Sequence, residues 1–228
     1  MANTHSVQEK LMPVAAGDQS PRTSGIVLHS PVLYDLTVWL AFFGKEQALR
    51  EKVLRFARLA TGESVLDVGC GTGTFAIAAK QRVGPNCTVY GVDASPEMLA
   101  RAEKKAKKAG MEISFRKGLA EALPFPDAQF DVVLSTVMLH HLPCKARLQC
   151  ANEIRRVLKP GGRVLAVDFQ GMDEQKRSFL SHFHRPHGHV SVRDIIALLS
   201  EAGLTSIESG SVGIRDLQFV LATAACCS

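Results

Sequence analysis

One stretch constrains this chain more than any other: Val65-Leu66-Asp67-Val68-Gly69-Cys70-Gly71-Thr72-Gly73-Thr74-Phe75. An apolar run short enough for a buried strand ends in a loop with glycine at every second position. A helical pattern (Phe75, Ile77, Ala78, Ala79) then begins. Glycines lack a Cβ, so the backbone can turn sharply and a ligand can lie directly against it.

A dinucleotide fingerprint would read G-x-G-x-x-G, with the third glycine permitting close helix packing. Gly69 and Gly71 fit, but position 74 is Thr and an extra glycine sits at 73, so the third glycine fails. What stands instead is acid-x-Gly-x-Gly-x-Gly, from Asp67 to Gly73, followed by a second acid, Asp93, at the end of the apolar run Val89-Tyr90-Gly91-Val92. A carboxylate at the tip of a second strand can accept from both hydroxyls of a ribose, which argues for a nucleoside ligand.

The rest of the pattern alternates as a doubly wound α/β sheet does. Strands are expected near 64–68, 88–92, 112–116, 130–135, 162–168, 204–209 and 216–223. Helices are expected near 73–83, 95–109, 145–158 and 191–202. Ser95-Pro96-Glu97 opens the second helix with a cap and a first-turn proline, and Lys159-Pro160-Gly161-Gly162 is expected to close the third. Upstream, two apolar stripes (Leu33 to Phe43, Leu49 to Ala57) suggest a pair of helices, a cap at about 31–60. Residues 1–24 are polar and aperiodic and read as a tail. Residues 25–228 then form one domain, with a substrate-side insertion at about 169–190.

The chain resembles the class I S-adenosylmethionine-dependent methyltransferases. Beyond the glycine loop the resemblance rests on Val92-Asp93-Ala94-Ser95, Gly118-Leu119-Ala120-Glu121-Ala122-Leu123-Pro124-Phe125, Phe130-Asp131-Val132-Val133, Leu139-His140-His141-Leu142 and Glu153 to Gly162, all in the family's order. The wording of these blocks looks most like the ubiquinone and menaquinone C-methyltransferase branch. The resemblance implies a Rossmann-like, mostly parallel seven-stranded sheet with an antiparallel C-terminal strand and helices on both faces. It also implies S-adenosyl-L-methionine as cofactor, S-adenosyl-L-homocysteine as product, and a small-molecule acceptor methylated on O, N or C.

Carried over residue by residue, the resemblance puts Gly69, Cys70, Gly71 and Gly73 against the methionine end of the cofactor, with Asp67 toward its ammonium and Asp93 on the ribose. Ala94 and Met98 flank the adenine, although Met98 also fits the apolar face of its own helix. Leu119 departs from the family, which commonly places Asp or Asn there for the adenine amino group. Either backbone groups at Leu119, Ala120 and Glu121 or a neighbouring side chain such as that of Glu121 take over, or the adenine is held mainly by packing. Ser135 is a candidate contact to the methionine portion, and Tyr34, of a Tyr34-Asp35 pair on the N-terminal cap, a cofactor or lid contact.

His140 and His141, beside where the methyl group would emerge, are candidate general bases, since an imidazole titrates near neutrality. So is His184, in a loop where His182, His184, His187 and His189 cluster. Such density suits a transition metal, yet no Cys or carboxylate within the loop completes a familiar set, and no metal is assigned. Lys104, Lys105, Lys107 and Lys108 read as the solvated end of a helix. Ser135-Thr136-Val137-Met138 stands where enzymes methylating exocyclic or amide nitrogens carry Asn/Asp-Pro-Pro-Tyr, which argues against a nucleic-acid or protein methyltransferase. A non-catalytic cofactor-binding protein and, prompted by the cysteines, an arsenite or other soft-element methyltransferase are the remaining rivals.

A net charge of +5 in 228 residues is mild and not gathered in one block, so nucleic acid is not expected. Six cysteines fall in no metal-binding spacing and follow no secretory pattern. With no window apolar enough for a membrane span, a cytoplasmic protein is expected.

Overall fold

In the computed structural model the described residues are 25, 27, 30–32, 35, 46–170, 190–214 and 216–226. The elements run α1 (Glu46–Phe56), β1 (Val65–Val68), α2 (Thr74–Val83), β2 (Val89–Asp93), α3 (Pro96–Lys108), β3 (Ser114–Lys117), β4 (Phe130–Thr136), α4 (Cys144–Val157), β5 (Leu158–Phe169), α5 (Val192–Glu201), β6 (Leu204–Ser211) and β7 (Leu217–Ala224). A single 3-10 turn, Leu139–His141, follows β4. Of the expected 31–60 cap, α1 is described, and Pro31, Val32 and Asp35 have helical backbone. Tyr34, the 1–24 tail and the four-histidine loop lie outside the described residues.

The seven strands are ordered β3-β2-β1-β4-β5-β7-β6, parallel except that β7 runs antiparallel to both its neighbours. The order reverses between β1 and β4, so the crevice beyond their C-terminal ends is the switch point where ligands bind in such sheets. Alternate residues of each strand enter opposite clusters. Leu66, Val68 and Val133 pack with α4 and α5, whereas Val65, Val132 and Leu134 pack with α1 and α2. Both faces are covered, which is why these strands read as continuous apolar runs rather than alternating ones.

Two local expectations need correction. The Lys159-Pro160-Gly161-Gly162 segment does not separate helix from strand: α4 ends at Val157, and β5 already pairs with β4 at Leu158. The register then slips between Phe130 and Val132, so proline and the two glycines sit in an irregular stretch where a missing ladder bond costs little. The third-glycine failure is also corrected. Gly73, at φ +75°, makes the close packing: a Cβ there would lie 2.8 Å from the Ala102 Cβ of α3 and 2.9 Å from the Phe115 ring of β3.

Candidate active site

The glycine loop is fastened to the end of β2, because the Gly69 and Cys70 N–H groups both donate to the Val92 carbonyl, at 2.8 and 3.0 Å. Gly69, Gly71 and Gly73 all have left-handed backbone, which residues with a Cβ rarely adopt. At Gly69 a side chain is excluded twice over, since its Cβ would meet the Met138 Cγ at 2.3 Å. The loop delivers the chain into α2 with no side-chain cap, so the first amides of that helix keep donors to offer an anionic ligand group.

Two carboxylates stand at the strand ends. Asp93 accepts from the Gly71 N–H through Oδ2 and from the Ser95 N–H through Oδ1, each at 2.9 Å. Burial pushes its pKa upward against the pull of the Ser95, Gly71 and Ala94 amides. Each oxygen retains a lone pair for a hydroxyl donor. Asp67 is 1% exposed, and neither of its carboxylate oxygens has a hydrogen-bond partner among the described residues. Burial raises its pKa to about 8. The Ala76 N–H draws it down in part without completing a bond of ordinary geometry, and the charge of Asp93 raises it further. A buried carboxylate without a partner is costly, and a cationic ligand group would relieve it. Ser135, opposite Val68 in the register, is fully buried with an equally unpartnered hydroxyl.

Beside Asp93 lies a cleft whose walls include Gly25, Val27, Gly69, Gly71, Asp93, Ala94, Met98, Leu119, Ala120, Glu121, Val137, Met138 and His141, while Asp67 and Ser135 are not among them. Most of the residues expected from sequence at the cofactor therefore share one cavity. Cys70 does not line it, its buried thiol instead lying where a Cβ on Gly91 would stand, 2.8 Å away. Gly73 packs between α3 and β3 rather than at the cleft, and His140 is likewise not among its walls. Met98 serves both readings, since it borders the cleft and is 2% exposed in the core.

The wall at 118–123 is held from behind by α4. The Leu123 N–H donates to Glu153 Oε2 at 2.7 Å, and Arg156 bonds Glu153 together with the carbonyls of Leu123 and Phe125. Arg156 keeps the Glu153 carboxyl below the usual range. Thus Glu153 and Arg156 of the Glu153-Ile154-Arg155-Arg156 block brace the cleft from a distance.

Across the cleft, β4 is followed by Val137, a β-branched residue at φ +55°. The kink turns the chain into the Leu139–His141 turn, and the carbonyls of Leu139 and of Leu142 just after it accept from the buried Arg147 Nε at 3.0 and 2.8 Å. His140 is bound twice by Asp168 of β5: its backbone N–H donates to Oδ2 at 3.1 Å, and Nδ1 lies 2.7 Å from Oδ1. Because a carboxylate can only accept, Nδ1 carries a proton, and in the neutral ring Nε2 is then the acceptor. The His141 ring lies 3.9 Å from that of His140, tilted by 42°. Burial, then the neighbouring His140, lowers the His141 pKa to about 4, against the opposing charge of Asp168. His141 is therefore neutral at pH 7. Asp168 escaped the sequence reading, its one available signal being an acid at the end of an otherwise apolar strand.

The lysine reading is partly overturned. Lys105 donates to the hydroxyls of Thr72 and Thr74 at 3.0 and 2.8 Å and reaches Asp35 at 3.4 Å, so it faces the glycine loop rather than solvent alone.

Comparison with known proteins agrees with this geometry. Residues 65–162 match the model of a methyltransferase domain. An arsenite methyltransferase of Halobacterium salinarum is 37% identical over 158 residues, 67% of this chain and 40% of the relative. A demethylmenaquinone methyltransferase of Thermus thermophilus is 37% identical over 136 residues, 60% of each chain. The chain thus spans less than two thirds of the length of these curated relatives. Among solved structures, a SAM-dependent methyltransferase from Aquifex aeolicus superposes with a TM-score of 0.69 at 25% identity, over 87% of this chain and all of that one.

Sheet order, glycine loop, paired acids and these matches make the chain similar to the class I S-adenosylmethionine-dependent methyltransferases, with residues 65–162 matching the methyltransferase domain itself. The similarity extends to quinone-type relatives and implies S-adenosylmethionine as cofactor.

Proposed function

We propose that the protein transfers a methyl group from S-adenosylmethionine to an O, N or C nucleophile of a small molecule. The observation that carries this reading is the pairing, at one switch point, of a buried carboxylate with unpartnered oxygens, Asp67, and a carboxylate anchored by backbone amides, Asp93. The first suits an ammonium group and the second a ribose. When bound, the cofactor supplies an electrophilic methyl carbon on a sulfonium.

The chain's own residues then do three things. Asp67, Asp93 and the glycine loop hold and orient the amino-acid and ribose portions. Leu119, Ala94 and Met98 hold the adenine chiefly by packing, since Leu119 cannot accept from its amino group. Val137, Met138 and neutral His141 form a dry wall that keeps water and added positive charge from the reacting centre. His140, oriented through Nδ1 by Asp168, takes the acceptor's proton at Nε2. Alignment and proton removal are what such a displacement requires of the protein.

Both curated relatives described above act, by name, on small acceptors. Among the described residues there is no group of three or more His, Cys, Asp or Glu able to hold a metal ion. No described helix is long and apolar enough to cross a membrane.

Calorimetric titration with S-adenosylmethionine, S-adenosylhomocysteine and NAD is the first test. Binding of the two sulfur nucleosides but not NAD supports the cofactor reading, after which radiolabelled-methyl transfer to phenols, quinols, amines and arsenite sorts the acceptor. Failure of both sulfur nucleosides to bind folded protein overturns the proposal.

A further inference from the structure

Asp35 stands far from the glycine loop in sequence yet is bonded to it. Its Oδ1 accepts from the Thr72 hydroxyl at 2.7 Å and lies 3.4 Å from Lys105 Nζ, while Oδ2 accepts from Arg101 Nε at 3.1 Å. Lys105 closes the ring by donating to Thr72 and Thr74. Thr72 is itself 2% exposed and sits between Gly71 and Gly73, both left-handed. Gly25 and Val27, on the same N-terminal stretch as Asp35, line the cleft.

A loop of three left-handed glycines has little conformational preference of its own, and although the Gly69, Cys70, Gly71 and Gly73 amides are bonded within the protein, Thr72 at its tip needs a hold from outside the loop. The network supplies that hold. Thr72 is pinned from the N-terminal side by Asp35 and from α3 by Lys105, and the charge on Asp35 is matched by two cations rather than left unpaired.

We infer that Asp35 is a positioning residue for the cofactor: its charged bonds to Thr72, Arg101 and Lys105 lock the N-terminal stretch onto the glycine loop and fix where the loop backbone meets the ligand. The inference rests on the cofactor reading above and adds a residue outside the cleft to it. Asp35 keeps the loop in its binding-competent form, so its loss appears in affinity. Because the pairing is partly exposed and ionic, salt weakens it.

The test is titration of the full chain with S-adenosylhomocysteine, comparing wild type with Asp35→Asn, Asp35→Glu and Thr72→Val. Asp35→Asn is expected to weaken binding by about tenfold or more, the loss of a charge-assisted bond. Asp35→Glu should recover part of it. Thr72→Val should weaken binding similarly, and the Asp35→Asn/Thr72→Val pair no further than either alone. Wild-type affinity should fall between about 0.05 and 0.5 M NaCl, and that of Asp35→Asn should change much less. All variants should unfold within a few degrees of wild type, which separates a positioning effect from lost folding. If Asp35→Asn binds as wild type does, or if the two changes add, this inference falls and the cofactor reading stands. If wild type itself binds no S-adenosylhomocysteine, both fall.

Discussion

The two sides of the cleft use their buried acids in opposite ways. On the β1–β2 side no hydrogen bond reaches the Asp67 carboxylate among the described residues, and those to Asp93 come from main-chain N–H groups that leave lone pairs open. On the β4–β5 side Asp168, as deeply buried as Asp67, is committed to the backbone and ring of His140 and to the Phe169 N–H at 2.8 Å. A carboxylate left open suits a cationic or hydroxyl-bearing ligand, whereas one committed to an imidazole positions a side chain. In the proposed function the first side binds the cofactor and the second presents His140.

The sides touch where Met138 seats on Gly69, and the largest expected effect lies there. Gly69→Ala places a Cβ 2.3 Å from the Met138 Cγ at φ +70°, and should destabilise the fold by about 3 kcal/mol in urea unfolding. Gly62→Ala, at φ +97° with nothing within 4 Å, tests the backbone term alone and should cost about 1 kcal/mol. Equal losses would mean that the contact between the two sides is slack.

A pH titration separates the sides next. Asp67 has its folded pKa raised to about 8, so the unliganded protein binds a proton there that the unfolded chain has already lost. Its contribution to stability is fully present below the unfolded carboxylate range and declines as pH rises toward 8. Binding of an ammonium group requires the ionised form. S-adenosylhomocysteine affinity should therefore rise by up to about tenfold per pH unit from pH ~6 to ~8, with proton release that depends on buffer in calorimetry. Asp67→Asn should abolish that dependence, and its persistence would assign the proton elsewhere.

Asp93→Ala should weaken S-adenosylhomocysteine binding by about 2 kcal/mol, since bonds to a charged group are worth roughly 1.5 to 3 kcal/mol. An unchanged affinity would end the ribose assignment. Asp168→Asn should leave that affinity within about twofold while lowering turnover roughly tenfold, because the amide no longer dictates the His140 tautomer. If it weakens the cofactor as much as Asp93→Ala does, the contrast between the two sides is wrong.

The strands were legible to within a few residues because a strand buried on both faces is a short apolar run wherever it stands. The exception is β5, which begins at Leu158 because pairing with β4 draws Pro160 and the glycines into an irregular stretch of the strand, against their local preference. The places of Asp67 and Asp93 were legible because they follow from a strand–loop–helix unit. That of Asp168 was not, because an acid at a strand end acquires meaning only when the turn after the neighbouring strand brings a histidine to it. Lys105 was misread for the same kind of reason: helix periodicity says which face is polar, not what stands opposite it.

The sequence alone therefore determined the alternating α/β architecture, the glycine turn and the two acids at the strand ends, all of them properties of contiguous residues. The tertiary structure decided that Gly73 packs helix to strand, that Asp35 braces Thr72 across 37 positions and that Asp168 orients His140 across 28. Such contacts depend on strand order and register, which are set by the packing of the whole sheet rather than by any local period.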